Sequence, residues 1–300
     1  MKSLRTPDSR FENLPGYEFE PNYIDIDSLR MHYVDEGPKD GAIVLLLHGE
    51  PSWSYLYRHM IPPLRDAGFR VVAPDLIGFG KSDKPAQKSD YTYASHVAWM
   101  KQFIEALDLN DITLFCQDWG SLIGLRVAAE NEHRFARIAL GNGGLPTGDQ
   151  TLPTAFKIWQ TFARFSPWFP IGKLIQKGTV SELSDAEVAA YDAPFPSAKF
   201  KAGARAFPLL VPSTPNDPAT VANRAAWDVF KNWQKPFLTT FSNRDPITRG
   251  GQKVWQETVP GAKKLEHLKI RNAGHFLQED KGPELAEILI AFCSNPLLPL

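Results

Sequence analysis

Apolar or β-rich runs only a few residues long recur along this chain, alternating with segments of helical period, and nothing else in the sequence constrains the fold so strongly. The runs at 31–34, 43–47, 70–73, 112–116, 137–140, 237–241 and 268–270 are bounded by turn residues and read as strands. Residues 55–67, 94–107, 121–130, 220–233 and 284–292 carry apolar side chains at helical spacing. Strand alternating with helix predicts an α/β protein whose mostly parallel sheet is covered on both faces. The first two strands, close together in sequence, are expected to pair as an antiparallel edge. The alternation lapses between 145 and 215, where short helical pieces broken by proline carry Phe156, Trp159, Phe162, Phe165, Trp168, Phe169, Phe195 and Phe207. Turn-rich strings flank this stretch, as a domain crossover requires. The expected organisation is a core built from 1–144 and 216–300, with a helical cap at 145–215 inserted into it. Much of the cap's phenylalanine must be its own core.

Composition narrows the function classes. Lys and Arg total 33 and Asp and Glu 34, so the formal charge of -1 offers no electrostatic footprint for nucleic acid or an anionic membrane surface. Two cysteines, Cys116 and Cys293, cannot build a disulfide framework, and no Cys/His cluster has the spacing of a metal site. Charge and Pro7 precede any apolar run at the N-terminus, and the longest apolar run, 42–47, is the length of a strand rather than a membrane span. The expectation is a cytoplasmic monomer without metal that binds neither nucleic acid nor membrane.

The most informative string is Ile112-Thr113-Leu114-Phe115-Cys116-Gln117-Asp118-Trp119-Gly120-Ser121, a strand running into a helix through a tight turn. It has the layout of a nucleophile elbow, G-x-S-x-G, with Asp118 in the place of the serine. A carboxylate is already ionised at neutral pH, so it can attack without a base, leaving an ester that water must cleave. Asp118 could equally just cap the following helix. Three further strings bear on the choice. His48-Gly49-Glu50-Pro51 ends an apolar strand where the elbow architecture places a loop donating an oxyanion N–H. Phe241-Ser242-Asn243-Arg244-Asp245-Pro246 puts an acid just past a strand end, although Asp-Pro there can also be only a turn. Asn272-Ala273-Gly274-His275-Phe276 follows the last strand, so that Asp245 could accept the ring N–H of His275 and hold its tautomer. Nucleophile, acid and histidine thus come in that order, each at the carboxyl end of a strand, where open α/β sheets bind their ligands.

Across nearly its whole length the sequence resembles the haloalkane dehalogenases of the α/β-hydrolase fold. The matching strings are His48-Gly49-Glu50-Pro51-Ser52-Trp53-Ser54-Tyr55-Leu56-Tyr57-Arg58, Pro74-Asp75-Leu76-Ile77-Gly78-Phe79-Gly80-Lys81-Ser82-Asp83-Lys84-Pro85, Gln117-Asp118-Trp119-Gly120 and Ala273-Gly274-His275-Phe276. The second contains glycines, lysine and serine but lacks phosphate-loop spacing, and in the family it is a structural loop. The resemblance implies that Asp118 is the nucleophile, His275 the base that activates water and Asp245 the acid that orients it. It also implies two donors to the departing halide. One is the indole N–H of Trp119. The other is asparagine after His-Gly in some members and a cap tryptophan in others. Here that position holds Glu50, whose carboxylate would repel a halide, and Phe156-Lys157-Ile158-Trp159 looks like the cap motif of the Glu-containing subgroup. Trp159 is therefore the expected second donor, with Trp168 as the other choice.

The chemistry then expected is displacement of chloride or bromide from an apolar haloalkane, followed by hydrolysis of an alkyl ester on Asp118, with the oxyanion held by the backbone N–H groups of Glu50 and Trp119. No cofactor is called for, because side chains and backbone fill every role. An epoxide hydrolase is the nearest alternative, but that family supplies two cap tyrosines to the epoxide oxygen, and 145–215 contains only Tyr191. Carboxylated substrates would call for arginines beside the nucleophile, where Trp119 stands. A non-catalytic binding protein and a cofactor-independent oxygenase on the same fold are the remaining alternatives.

Overall fold

The structure is a computed structural model describing residues 1–294. Eight strands form one sheet: β1 (Asn22–Ile26), β2 (Leu29–Glu36), β3 (Ile43–Leu47), β4 (Arg70–Pro74), β5 (Ile112–Asp118), β6 (Phe135–Gly143), β7 (Phe237–Ser242) and β8 (Leu268–Ile270). Their order is β8-β7-β6-β5-β3-β4-β2-β1. From β8 through β4 neighbours run parallel, while β2 and β1 are antiparallel at one edge. β3 and most of β5 are buried without alternation, as strands covered on both faces must be.

The expected pairing of the first two predicted strands, β2 with β3, does not occur, because β4 lies between them. β3 is Ile-Val-Leu-Leu-Leu, and a hairpin with β2 would leave this apolar strand near the open edge. Instead it takes parallel partners on both sides, β4 and β5, deep in the sheet. β2 pairs outward with β1, a strand the periodicity had not singled out, through a turn at Asp27 and Ser28. Both turn residues have positive φ, 48° and 66°, the signature of a tight two-residue hairpin.

The string Pro74 to Pro85 folds around the carboxylate of Asp75 rather than around any phosphate. Asp75 accepts hydrogen bonds from the backbone N–H groups of Ser54 and Lys81, each at 2.8 Å, and meets His32 Nδ1 at 2.7 Å. A Cβ on Gly80, whose φ is +48°, would overlap the same carboxylate, so glycine is required there.

Helices α1 (Ile61–Asp66), α2 (Tyr93–Ala106) and α3 (Trp119–Glu130) follow β3, β4 and β5. After β6 the chain leaves the sheet and forms α4 (Thr154–Phe165), α5 (Ile171–Gly178), α6 (Asp185–Asp192) and α7 (Ala202–Leu210) before α8 (Thr220–Phe230) returns to the core. α9 (Gln252–Thr258) precedes β8, and α10 (Leu277–Ser294), kinked at Lys281, ends the described chain. Of the aromatics in the inserted stretch, Phe156, Phe169, Phe195 and Phe207 are buried, whereas Phe165 is 71% and Trp168 64% exposed.

Buried polar contacts fasten the inserted helices to the core. Arg58, after β3, donates to Glu279 of α10 at 2.5 and 2.7 Å and to Glu187 of α6 at 2.9 Å. Tyr191 of α6 donates its hydroxyl to Glu279 as well. Two buried charges of opposite sign, Arg58 braced by Glu187 and Glu279 by Tyr191, hold their geometry firmly, because breaking the pair would strand an unpaired ion away from water.

Candidate active site

β5 ends at Asp118 with φ 48° and ψ −126°, and α3 begins at the next residue. Such a turn costs about 1–3 kcal/mol for a residue with a side chain and persists only where the surroundings enforce it. Those surroundings are small residues. A Cβ on Gly49 would overlap the Asp118 side chain, and one on Gly120 would overlap the Leu47 carbonyl. Asp118 does not cap α3 with its side chain, so the capping alternative is excluded. Its Oδ1 instead accepts the backbone N–H of Glu50 at 2.8 Å. The Trp119 backbone N–H opens α3, where first-turn donors have no partner inside the helix.

His275 lies between two carboxylates. Its Nε2 is 3.4 Å from Asp118 Oδ2 and its Nδ1 is 3.0 Å from Asp245 Oδ2. Burial alone would lower the pKa of His275, but the charges and hydrogen bonds of Asp245 and Asp118 raise it to about 10. Asp245 moves the other way. Burial disfavours its charge, yet His275, Thr248 and the Ile247 N–H together hold its carboxyl below the ordinary value. The loop after β7 presents Asp245 because its carboxylate accepts the N–H groups of Ile247 and Thr248 at 2.8 and 3.2 Å. The loop carrying His275 is held by Asn142, whose Nδ2 donates to the Gly274 and His275 carbonyls at 2.9 and 3.0 Å. Asp280 adds a clamp, accepting the N–H of Gly274 at 2.7 Å and that of Ser181 at 2.6 Å.

Two adjoining cavities open at Asp118 and share Phe156 and Ile247. One, of about 320 Å³, is lined by Glu50, Trp159, Leu174, Gly178, His275 and Phe276. The other, of about 490 Å³, is lined by Trp119, Leu122, Leu145, Val211, Trp227 and Trp255. The Trp119 ring is set by Phe207 and Tyr93, with centroids 4.6 and 5.2 Å away. Trp159 is stacked on Phe162 at 5.8 Å, while Trp168 lies on the outer surface beside Lys173. Asp118, Asp245, His275, Glu50, Trp119 and Trp159 thus come together, and Trp168 does not.

Glu50 differs from its expected state. Burial first, and the charge of Asp118 second, push its carboxyl well above the usual carboxylate range, against a hydrogen bond from Trp159. The shift favours the uncharged acid, which weakens the expected repulsion of a halide by Glu50. Folding must protonate this group once pH exceeds its ordinary value near 4.3, so wild-type stability carries a penalty that grows with pH. Glu50→Gln removes that penalty. Its melting temperature is expected to gain on wild type as pH rises from 5 to 8, by roughly 2–4 °C for each kcal/mol recovered, and a gap that stays constant across this range contradicts a neutral Glu50.

Composition and spacing did not single out Gln117 or Asp280. Gln117 did leave a signal: it is a polar amide directly after the apolar run Leu114-Phe115-Cys116, fully buried and next to Asp118. Asp280 left none, because its partners are backbone N–H groups, that of Gly274 close by in sequence and those of Val180 and Ser181 about 100 residues away.

An elbow of this kind on a sheet of this order belongs to the α/β-hydrolase class, and the model of the alpha/beta hydrolase fold family matches residues 42–282. A haloalkane dehalogenase of Psychrobacter cryohalolentis is 59% identical over 302 residues, covering 99% of this chain and 100% of that protein. One of Mycobacterium marinum is 56% identical over 297 residues, covering 97% of this chain and 100% of its own length. The tetrameric haloalkane dehalogenase DpaA from Paraglaciecola agarilytica NO2 superposes with a TM-score of 0.91 at 39% identity, covering 96% of this chain and 97% of that one. The chain belongs to the haloalkane dehalogenases, hydrolases acting on carbon–halide bonds.

Proposed function

We propose that this enzyme hydrolyses haloalkanes in two steps through a covalent ester on Asp118. The observation that carries the reading is the division of labour between the two Asp118 oxygens: Oδ1 is held by the Glu50 N–H at 2.8 Å, leaving Oδ2, 3.4 Å from His275, to attack. In the first step Oδ2 bonds to the substrate carbon as the carbon–halogen bond breaks, and the halide departs with the electron pair. The indole N–H groups of Trp119 and Trp159 donate to the charge that develops there. In the second step His275 Nε2 takes a proton from water, the resulting hydroxide attacks the Asp118 carboxyl carbon, and the oxyanion forms on the oxygen facing the Glu50 and Trp119 N–H groups. Collapse expels the alkoxide, which takes the proton from His275 and leaves as alcohol, and the Asp118 carboxyl that remains loses its own proton to solvent to return the carboxylate. The sum is haloalkane plus water to alcohol, halide and a proton.

The subgroup with glutamate after His-Gly and a tryptophan from the inserted helices belongs to this reading, as does the division into core (1–144 and 216–300) and cap (145–215). Trp159 lining the cavity beside Asp118 supports it. Epoxide opening is disfavoured because Tyr191 already donates its hydroxyl to Glu279. A cytoplasmic location agrees with two free cysteines, Cys116 and Cys293, and no described helix is long and apolar enough to cross a membrane. The monomer is to be measured by light scattering, since a solved relative is a tetramer.

The test is halide release and acidification with 1,2-dibromoethane and 1-bromobutane, with styrene oxide as the control substrate. Wild type is expected to release halide from both bromides and leave the epoxide intact. Trp159→Phe should lose about 10²-fold in kcat, as removal of one anion donor does, whereas Trp168→Phe stays within about twofold because its ring lies outside. Equal losses in both variants would withdraw the donor role of Trp159, and turnover of the epoxide alone would overturn dehalogenation.

A further inference from the structure

Gln117, directly before the nucleophile, points its side chain at the catalytic histidine. Its Nε2 is 3.2 Å from the backbone carbonyl oxygen of His275 and 3.1 Å from His275 Nε2. The carbonyl fixes which end of the amide is which, because a carbonyl oxygen only accepts and so must face the NH2 group. That group has two hydrogens, one for each neighbour. With the opposite orientation the two oxygens would face each other, and the buried NH2 would have nothing to donate to. Gln117 Oε1 is buried without a partner among the described residues, so the amide accepts one lost hydrogen bond in order to keep its NH2 on His275.

We propose that Gln117 is a positioning residue for the ester-hydrolysis step, its NH2 group keeping the lone pair of His275 on Nε2 and the ring hydrogen on Nδ1, towards Asp245. This rests on the two-step reading above. Asp118 and Asp245 face the histidine, with Glu50, Lys177 and Arg244 lining the same cavity. Asp118 and Asp245 favour the imidazolium. Once Asp118 is alkylated its charge is gone, and Gln117 then opposes the pull of Asp245, since a donor aimed at Nε2 favours the free base. His275 can lose its proton to solvent and accept one from the attacking water.

The test compares wild type with Gln117→Met, which keeps length but cannot donate, and Gln117→Glu, which accepts instead. Rapid-quench halide bursts read alkylation and alcohol formation reads hydrolysis, both across pH. In Gln117→Met, alkylation is expected within about twofold of wild type, while the pH at which hydrolysis switches on rises by about one unit, a tenfold loss in the rising limb. Gln117→Glu moves that limb further. A limb at the wild-type pH in Gln117→Met overturns the proposal, because a purely structural role changes the rate but not the titration. Nitrogen NMR of histidine-labelled wild type, read above the pH at which the resting ring becomes neutral, needs no variant to fold. A proton on His275 Nε2 with Nδ1 bare also overturns it. Wild type releasing no halide from either bromide would sink the two-step reading instead, and the NMR result would still report the Gln117 contact.

Discussion

Asp118→Ala abolishes halide release from 1-bromobutane, with an expected loss on the order of 10⁴-fold or more in kcat, measured as halide over hours at high enzyme concentration. The size follows from the absence of a substitute. Glu50, which lines the same cavity, has its carboxyl pushed towards the uncharged form by burial, which makes it a poorer nucleophile, and Asp245 is spent on His275, Thr248 and the Ile247 N–H. Glu50 and Asp245 cannot both stay as they are and attack carbon. Residual halide release above about 1% of wild type would mean that a water or another carboxylate performs the displacement, and the covalent ester would have to be given up.

His275→Phe separates the two steps. Alkylation does not need the imidazole, because a carboxylate attacks carbon without a general base, so one equivalent of halide per site should appear in a burst. Turnover then falls on the order of 10³-fold, the loss typical of a missing general base, and mass spectrometry should find the alkyl group on the peptide containing Asp118. A burst without an adduct, or steady turnover within tenfold of wild type, contradicts the assigned role. The same substitution removes a source of stability. Because folding raises His275 from its ordinary value near 6.5 to about 10, its pairing with Asp245 and Asp118 stabilises the native state fully below about pH 6.5 and ceases to do so as pH climbs towards 10. Wild type should therefore lose melting temperature over that range more steeply than His275→Phe does.

Much of this enzyme was legible before any coordinates. β3 and β8 lie where the periodicity puts them, and Asp118, Asp245 and His275, singled out by their places after strands, lie side by side. They were found because the chemistry is local: a strand end, a tight turn and the residue type decide each of them within about ten positions. β1 was missed because a short, half-exposed, alternating strand carries little apolar signal. The β2–β3 pairing was misjudged because proximity in sequence does not say which strand most needs two covered edges.

The amino-acid sequence alone determined the α/β alternation, the inserted aromatic helices, the elbow at Asp118 and the order of nucleophile, acid and histidine. Only the tertiary structure sets Trp159 and Trp168 apart, since both belong to the same aromatic stretch and one lines the cavity at Asp118 while the other faces solvent. It alone shows that the Glu50 carboxyl is pushed towards its uncharged form, because that depends on burial and on the charges nearby, here Asp118, 68 positions away in the chain. It alone aimed Gln117 at a histidine 158 positions further on, because a side-chain amide acquires a purpose only from whatever the fold brings within about 3 Å of it.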